Sequence, residues 1–343
     1  MRAFHAPETA GHDPDFFLLR GRVVRNEERA ARAERLLAAL ARLELAAEAP
    51  PEAGRAPLAA VHSLDYLRFL ETAWEDWRRL PAAGPEVVAN VHRAPGPPST
   101  YPDSVVGRAG WHMADAACPI GPESWTAARR SADCALAAAE ALAAGARQAY
   151  ALCRPPGHHA AAEQAGGHCL LNNAAIAAQR LTADGGRVAV LDVDVHHGNG
   201  TQSIFWTRPD VATVSIHADP RGFYPFFVGH AHERGAGPGE GFNLNLPLPL
   251  GAGDAAWLDA LGTALARVEA FAPDAVVLSL GLDVHERDPL KGLSVTTEGI
   301  ARAGARIGRL GAPVAVVQEG GYLSEELTDN LAAFLSDFLG ARA

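Results

Sequence analysis

Five uninterrupted aliphatic runs constrain the fold of this chain more than any other feature: AYALC at 149–153, RVAVLDV at 187–193, VATVSIH at 211–217, AVVLSLG at 275–281 and PVAVVQE ending at Glu319. They do not alternate apolar with polar residues, which is the pattern of strands buried on both faces. Between most of them lie alanine-rich segments of helical periodicity, at 126–146, 172–182, 254–271 and 297–310. Strand and helix in alternation predict an α/β fold with an open, mainly parallel sheet flanked by helices. At 343 residues the chain is long enough to bury a large core around such a sheet.

Two stretches break the alternation. Residues 81–124 are rich in proline and glycine, as in HRAPGPPSTYPDS, with few periodic apolar positions. The segment before them, from Arg2 to Leu80, offers one strand at its start and mostly helices, too little for a sheet of its own. Residues 1–343 are therefore expected to form a single domain, with 81–124 as a long functional loop. A second glycine-rich stretch, FYPFFVGHAHERGAGPGEGFN at 223–243, is expected to be another loop.

A net charge of -10 argues against broad binding to nucleic acid or an anionic membrane and favours a cationic ligand. No apolar run approaches the roughly eighteen residues that span a bilayer. The N-terminal MRAFHAPETAGHD lacks the apolar core of a secretory signal, so the expected compartment is the cytoplasm. Cys118, Cys134, Cys153 and Cys169 form no CxxC pair, and the last three lie among small or apolar residues, so no disulfide is expected.

In open parallel sheets, ligands bind beyond the carboxyl ends of the strands. The residues collected there are His158 and His159 after ALC, Asp192, Asp194, His196 and His197 after VAVL, His217 after VSI, Asp283 after VVLSLGL, and Tyr322 after VAVVQEGG. One acid or imidazole after a strand is ordinarily a solvated turn residue; several strands delivering them to one edge is a different matter. Residues two apart in a strand share a face, so Asp192, Asp194 and His196 are expected to line one side of the departing strand. Such a group calls for a cation. Zinc takes imidazole nitrogen and carboxylate oxygen, and a catalytic zinc keeps one position open beside three protein ligands, here Asp194, His196 and Asp283. Fe²⁺ or Co²⁺ would fit the same donors.

The stiff RPPG turn is expected to hold His158 and His159 beside the metal, where two imidazoles can serve as general base for a metal-activated water and general acid for a leaving amine. Asp192 and Asn199 are placed to hold their other ring nitrogens. Tyr322, after two glycines, supplies a phenol that can donate to the oxyanion of a tetrahedral intermediate. The parts describe metal-assisted amide hydrolysis.

Taken together, RPPGHHA, GGHCLLNNAAIAA, LDVDVHHGNGTQ, VSIHADP, SLGLDVHERDPL and EGGY resemble, in order and over nearly the whole chain, the zinc-dependent histone deacetylase superfamily. The resemblance is strongest to its bacterial acetylpolyamine amidohydrolases, which VHSLDYLRFLETAWEDW, the proline-rich loop and YPFFVGH also resemble. It implies an arginase-like open α/β fold and one Zn²⁺ on Asp194, His196 and Asp283. The two manganese ions of the related arginases are not implied, because VDVHHG lacks their additional aspartate. His159 would be the general base and acid, His158 its electrostatic partner and Tyr322 the oxyanion donor. The resemblance further implies a monovalent cation, usually K⁺, on Asp192, Ser215 and Ile216 with backbone carbonyls of Asp194 and His196. His168 and Tyr224 match the rings that wall the acyl channel, and Gly167, Gly320 and Leu290 match positions beside the substrate.

Some positions depart from that pattern. His168 stands where phenylalanine or tyrosine is usual, which implies a more polar channel. Val106 and Ala117 stand where glutamates of the polyamine branch are expected; Asp103 and Asp115 are candidate substitutes or solvated loop acids, and Arg108 nearby would oppose a polyamine. The branch's long loop also builds a homodimer, for which Trp111, Trp125, Phe226 and Phe227 are candidate contacts or core residues of the loop. The expected function is zinc-dependent removal of an acetyl group from a small acetylated amine such as N-acetylputrescine. The alternatives are acyl-lysine protein deacetylation, hydrolysis of another amide metabolite, and a non-catalytic acyl-ligand binding protein. The last predicts loss of a ligand, base or tyrosine, and all five residues are intact.

Overall fold

The computed structural model describes residues 1–93, 99–183 and 185–341; positions 94–98 of the proline-rich stretch and the last two positions of the expected 1–343 domain lie outside the described residues. The strands are β1 (Arg2–Phe4), β2 (Phe16–Leu19), β3 (Arg22–Arg25), β4 (Ala47–Glu48), β5 (Gln148–Ala151), β6 (Val188–Asp192), β7 (Val211–Ala218), β8 (Asn243–Leu248), β9 (Ala275–Leu280) and β10 (Val314–Gln318). Eight of them form one sheet in the order β4-β1-β5-β10-β9-β6-β7-β8, and every pairing in it is parallel. β2 and β3 form a separate antiparallel hairpin.

The helices are α1 (Ala31–Arg42), α2 (Ala56–Ala59), α3 (Leu64–Trp77), α4 (Val105–His112), α5 (Ser124–Ala143), α6 (Asn173–Thr182), α7 (Asn199–Phe205), α8 (Asp254–Phe271), α9 (Thr297–Gly308) and α10 (Leu327–Gly340). They cover both faces of the sheet. Val188 and Val190 of β6 join one core with α3, α5 and α6, while Ala189 and Leu191 join the other with α1, α8, α9 and α10. The continuous aliphatic runs follow from this, since each successive side chain has a helix layer to bury against. All four cysteines are buried and unbonded to one another.

Three expectations need correction. The stretch 81–124 is not all loop: Ser104 caps α4 through its side chain, and Gly110 packs against the Val91 carbonyl where a Cβ would collide. Two glycines in eight residues weaken the helical signal, and tertiary contact overrides it. The first eighty residues hold four strands rather than one. Within 223–243 the chain is loop apart from a short 3₁₀ turn, but Asn243 opens β8, an edge strand whose NLNLPL alternates and accommodates Pro247 as only an edge can.

Candidate active site

The strands that carry the collected residues, β5, β10, β9, β6 and β7, are consecutive neighbours in the sheet. Because they are parallel, the segments that leave their carboxyl ends all emerge at one edge.

β6 ends at Asp192, so Asp194 and His196 do not project from a strand as expected. Each carboxylate instead turns the backbone two residues on: Asp194 N donates to Asp192 Oδ1 at 3.1 Å, and His196 N donates to Asp194 Oδ1 at 2.8 Å. These successive Asx turns curl the chain out of extended conformation. They send Asp192 to His158 and bring His196 Nδ1 to 3.1 Å from Asp194 Oδ1 and 3.2 Å from Asp283 Oδ2. Donor atoms about 2.0 Å from a tetrahedral zinc lie about 3.3 Å apart, so His196 stands at zinc-ligand spacing from both carboxylates, and the three donors lie within 4.8 Å of one another. Asp283 Oδ2 is buried without a hydrogen bond among the described residues. Burial disfavours charge on His196, yet the two carboxylates raise its pKa to about 9, so the site favours positive charge at that point. Gly320 completes the cradle: its N–H donates to Asp194 Oδ2 at 2.9 Å, and a Cβ there would collide with both Asp283 and Asp194.

The His pair is divided electrostatically. His158 Nδ1 donates to Asp192 Oδ2 at 2.9 Å; burial opposes its charge, but Asp194 and Asp192 outweigh burial and hold its pKa well above the usual value. His159 Nδ1 donates to Asn199 Oδ1 at 2.7 Å; burial, with His158 and His196 close by, pushes its pKa well down. With Nδ1–H committed to an amide oxygen, neutral His159 keeps a lone pair on Nε2, the state a general base needs. The two rings lie 4.0 Å apart.

Around them stand Phe223, stacked on His196 at 5.0 Å, and Tyr224, edge-on to His159 at 4.9 Å. Gly167, with φ +51°, passes so close to the His159 ring that a Cβ would overlap it. Tyr322 is buried, with its hydroxyl 3.1 Å from His168 Nδ1 and the Arg32 guanidinium over its ring at 4.7 Å.

Residues 26–338 match the histone deacetylase domain family. The chain belongs to the histone deacetylase family. Membership makes it a metal-dependent deacetylase. It is 48% identical over 340 residues to an acetylpolyamine amidohydrolase of Burkholderia pseudomallei, covering 98% of each chain. It is 43% identical over 300 residues to acetylpolyamine amidohydrolase 2 of Pseudomonas aeruginosa, covering 85% of each. A crystal structure of an acetylpolyamine aminohydrolase from B. pseudomallei, from an iodide soak, superposes with a TM-score of 0.96 over 99% of both chains at 48% identity.

Not every residue singled out in the deacetylase sequence reaches the site. Asp115 does: it accepts from Tyr224 OH at 2.6 Å and Gly167 N at 3.1 Å. Asp103 is exposed ahead of α4. Arg108 is not a free cation opposing a polyamine, because Asp76 pairs with it at 2.8 Å. Trp125 packs against the core from α5, whereas Phe226 and Phe227 are 50% and 88% exposed. His217 bonds Gly229 O and Ser215 Oγ, away from the ligand trio.

Two carboxylates beside the site lie inside quoted motifs but are not singled out by the sequence. Glu319 is buried and accepts from Gly157 N and His158 N, and burial raises its pKa to about 7. Asp288 accepts from Tyr322 N at 2.7 Å and Leu290 N at 2.8 Å, tying the tyrosine to the half-buried Leu290. Glu319 stands in view beside the EGGY glycines; its partners are backbone groups about 160 positions away, which no local pattern reveals.

Proposed function

We propose that residues 1–343 form one deacetylase domain that binds Zn²⁺ through Asp194, His196 and Asp283 and removes the acetyl group from a small acetylated amine of the acetylpolyamine kind. What carries the proposal is the union, in one buried site, of three donors within 4.8 Å of one another with a neutral histidine open at one nitrogen. The identity to two acetylpolyamine amidohydrolases supports the substrate class. A net charge of -10 and the placement of Asp115 by Tyr224 support a cationic amine.

When bound, zinc supplies a Lewis acid for the acyl oxygen and lowers the pKa of a water. His159 takes a proton from water at Nε2 and passes it to the departing amine nitrogen, while Asn199 fixes its tautomer. His158, whose Nδ1 donates to Asp192, stands 4.0 Å from His159 as its electrostatic partner. Tyr322 donates to the acyl oxygen as negative charge grows there. Gly167, His168, Tyr224, Leu290 and Gly320 line the approach. The proposal includes a monovalent cation, K⁺, on Asp192, Ser215 and Ile216 with the backbone of Asp194 and His196; what supports it is that Asp192 and Ser215 are register partners on adjacent strands and both line a small cavity. The exposed Phe226 and Phe227, on the loop after Tyr224, favour a homodimer, which sedimentation equilibrium would detect.

The test is acetate release by zinc-loaded protein from N-acetylputrescine, N-acetylcadaverine, N-acetylspermidine and acetyl-lysine peptides, with Tyr322→Phe as control. Higher kcat/KM on the polyamines supports the proposal; preference for peptides, or no turnover, removes the polyamine assignment.

A further inference from the structure

At position 168 a neutral imidazole replaces the hydrocarbon or phenol ring expected there, and three observations bear on why. Its Nδ1 lies 3.1 Å from the Tyr322 hydroxyl, with ring centroids 5.5 Å apart. Its Nε2 is buried and has no hydrogen-bond partner among the described residues. Its edge is closed off by Phe17 at 5.7 Å. Burial, reinforced by Arg32 and His196, pushes its pKa down to about 3, so the ring is uncharged.

An uncharged imidazole has one N–H and one lone pair. Were Tyr322 to donate to Nδ1, the phenol's only proton would be spent on His168 and an N–H would be orphaned at Nε2. With Nδ1–H donating instead, the phenol keeps its proton for the acyl oxygen, and the orphan is a lone pair, the better tolerated kind. An N–H on the phenol oxygen also draws electron density from it and makes its own O–H a stronger donor.

We propose that His168 is a positioning residue for Tyr322: its Nδ1–H grips the phenol oxygen, fixes the hydroxyl and leaves the phenol proton free for the substrate carbonyl. The inference rests on the oxyanion role given to Tyr322 above. A burial cost that a phenylalanine would not incur, an unpaired ring nitrogen, is offset by this bond. The simpler account is that His168 has φ +70°, a conformation histidine adopts more readily than phenylalanine. The two accounts differ in whether the effect of position 168 passes through Tyr322.

The deciding experiment is a double-mutant cycle on the zinc-loaded protein, read by calorimetric binding of acetohydroxamic acid, a small carbonyl ligand, together with kcat and KM on the best acetylated amine. His168→Phe should weaken acetohydroxamate binding about 3- to 10-fold and lower kcat more than it raises KM. In a Tyr322→Phe background the same change should have no further effect. His168→Asn, whose amide reaches the Nδ1 position and which tolerates positive φ, should recover most of the loss, whereas His168→Gln, which reaches only toward Nε2, should not. That pair decides the matter if the phenylalanine variant fails to fold. Equal weakening in both backgrounds, no effect of His168→Phe, or acetohydroxamate binding that is absent or independent of Tyr322 overturns the proposal. Failure of the polyamine assignment alone shows up separately, as measurable coupling without acetate release from the amines.

Discussion

Glu319 grips the backbone of His158: its Oε2 accepts from His158 N at 3.0 Å and from Gly157 N at 2.6 Å, tying the end of β10 to the turn after β5. Glu319→Ala would orphan two buried donors, at a cost of about 1–3 kcal/mol each. The variant should unfold at lower urea and lose at least about tenfold in kcat/KM, since the turn also carries His159, the proposed base, whose misplacement would be costly. Glu319→Gln keeps an acceptor and should fall between. Wild-type midpoint and rate in Glu319→Ala would show that the turn holds itself.

The second prediction concerns the proposed ligands: Asp194 and Asp283 are fully buried, and His196 Nδ1 lies 3.1 Å and 3.2 Å from their carboxylates. A divalent ion that binds this arrangement and not the unfolded chain stabilises it by about 4 kcal/mol at a thousandfold excess over its Kd. Chelation should lower Tm and abolish acetate release, and zinc should restore both. Asp283→Ala should erase the difference in Tm between chelated and zinc-loaded protein. A Tm indifferent to zinc in the wild type would sink the assignment.

The sequence announces the chemistry of the site better than its supports. Asp194, His196, Asp283, the His pair and Tyr322 follow aliphatic runs, and parallel topology carries such residues to one edge, so strand ends alone bring them together. The D-x-D-x-H spacing suggests strand alternation, whereas Asx turns produce the geometry, because short acidic side chains compete for backbone N–H groups once pairing ends. Glu319 and Asp288 act on backbone from distant segments, and that depends on the folded path rather than on any local pattern. The helix α4 likewise forms through contact with Val91, against the propensity of its glycines.

We propose Asp115 as the acid that meets a cationic substrate: it is held by Tyr224 OH and Gly167 N, residues that both pack on the His159 ring. A hydrogen bond to a charged group is worth about 1.5–3 kcal/mol. Asp115→Asn should therefore lower kcat/KM for N-acetylputrescine at least about tenfold while changing turnover of uncharged N-butylacetamide much less. Equal losses on both substrates would assign Asp115 to holding the channel wall rather than to recognising charge.

The last prediction lies outside the site and concerns acid stability. His62 is buried, with Nδ1 donating to Ala161 O and Nε2 accepting from Asn172 N, both at 3.0 Å, so the folded protein needs its neutral form. Burial lowers its pKa to about 4, against about 6.5 in an unfolded chain. Between those values the unfolded state binds a proton that the folded state refuses, so stability falls as pH drops through this window and is fully present above it. His62→Gln removes the titration while keeping an acceptor. From pH 7 to pH 4.5 the wild type should lose about 2 kcal/mol more unfolding free energy than the variant, on top of what the other buried histidines contribute to both. Urea unfolding of the two proteins at the two pH values measures the difference; parallel losses would mean that the His62 proton is taken up without breaking the bond from Asn172.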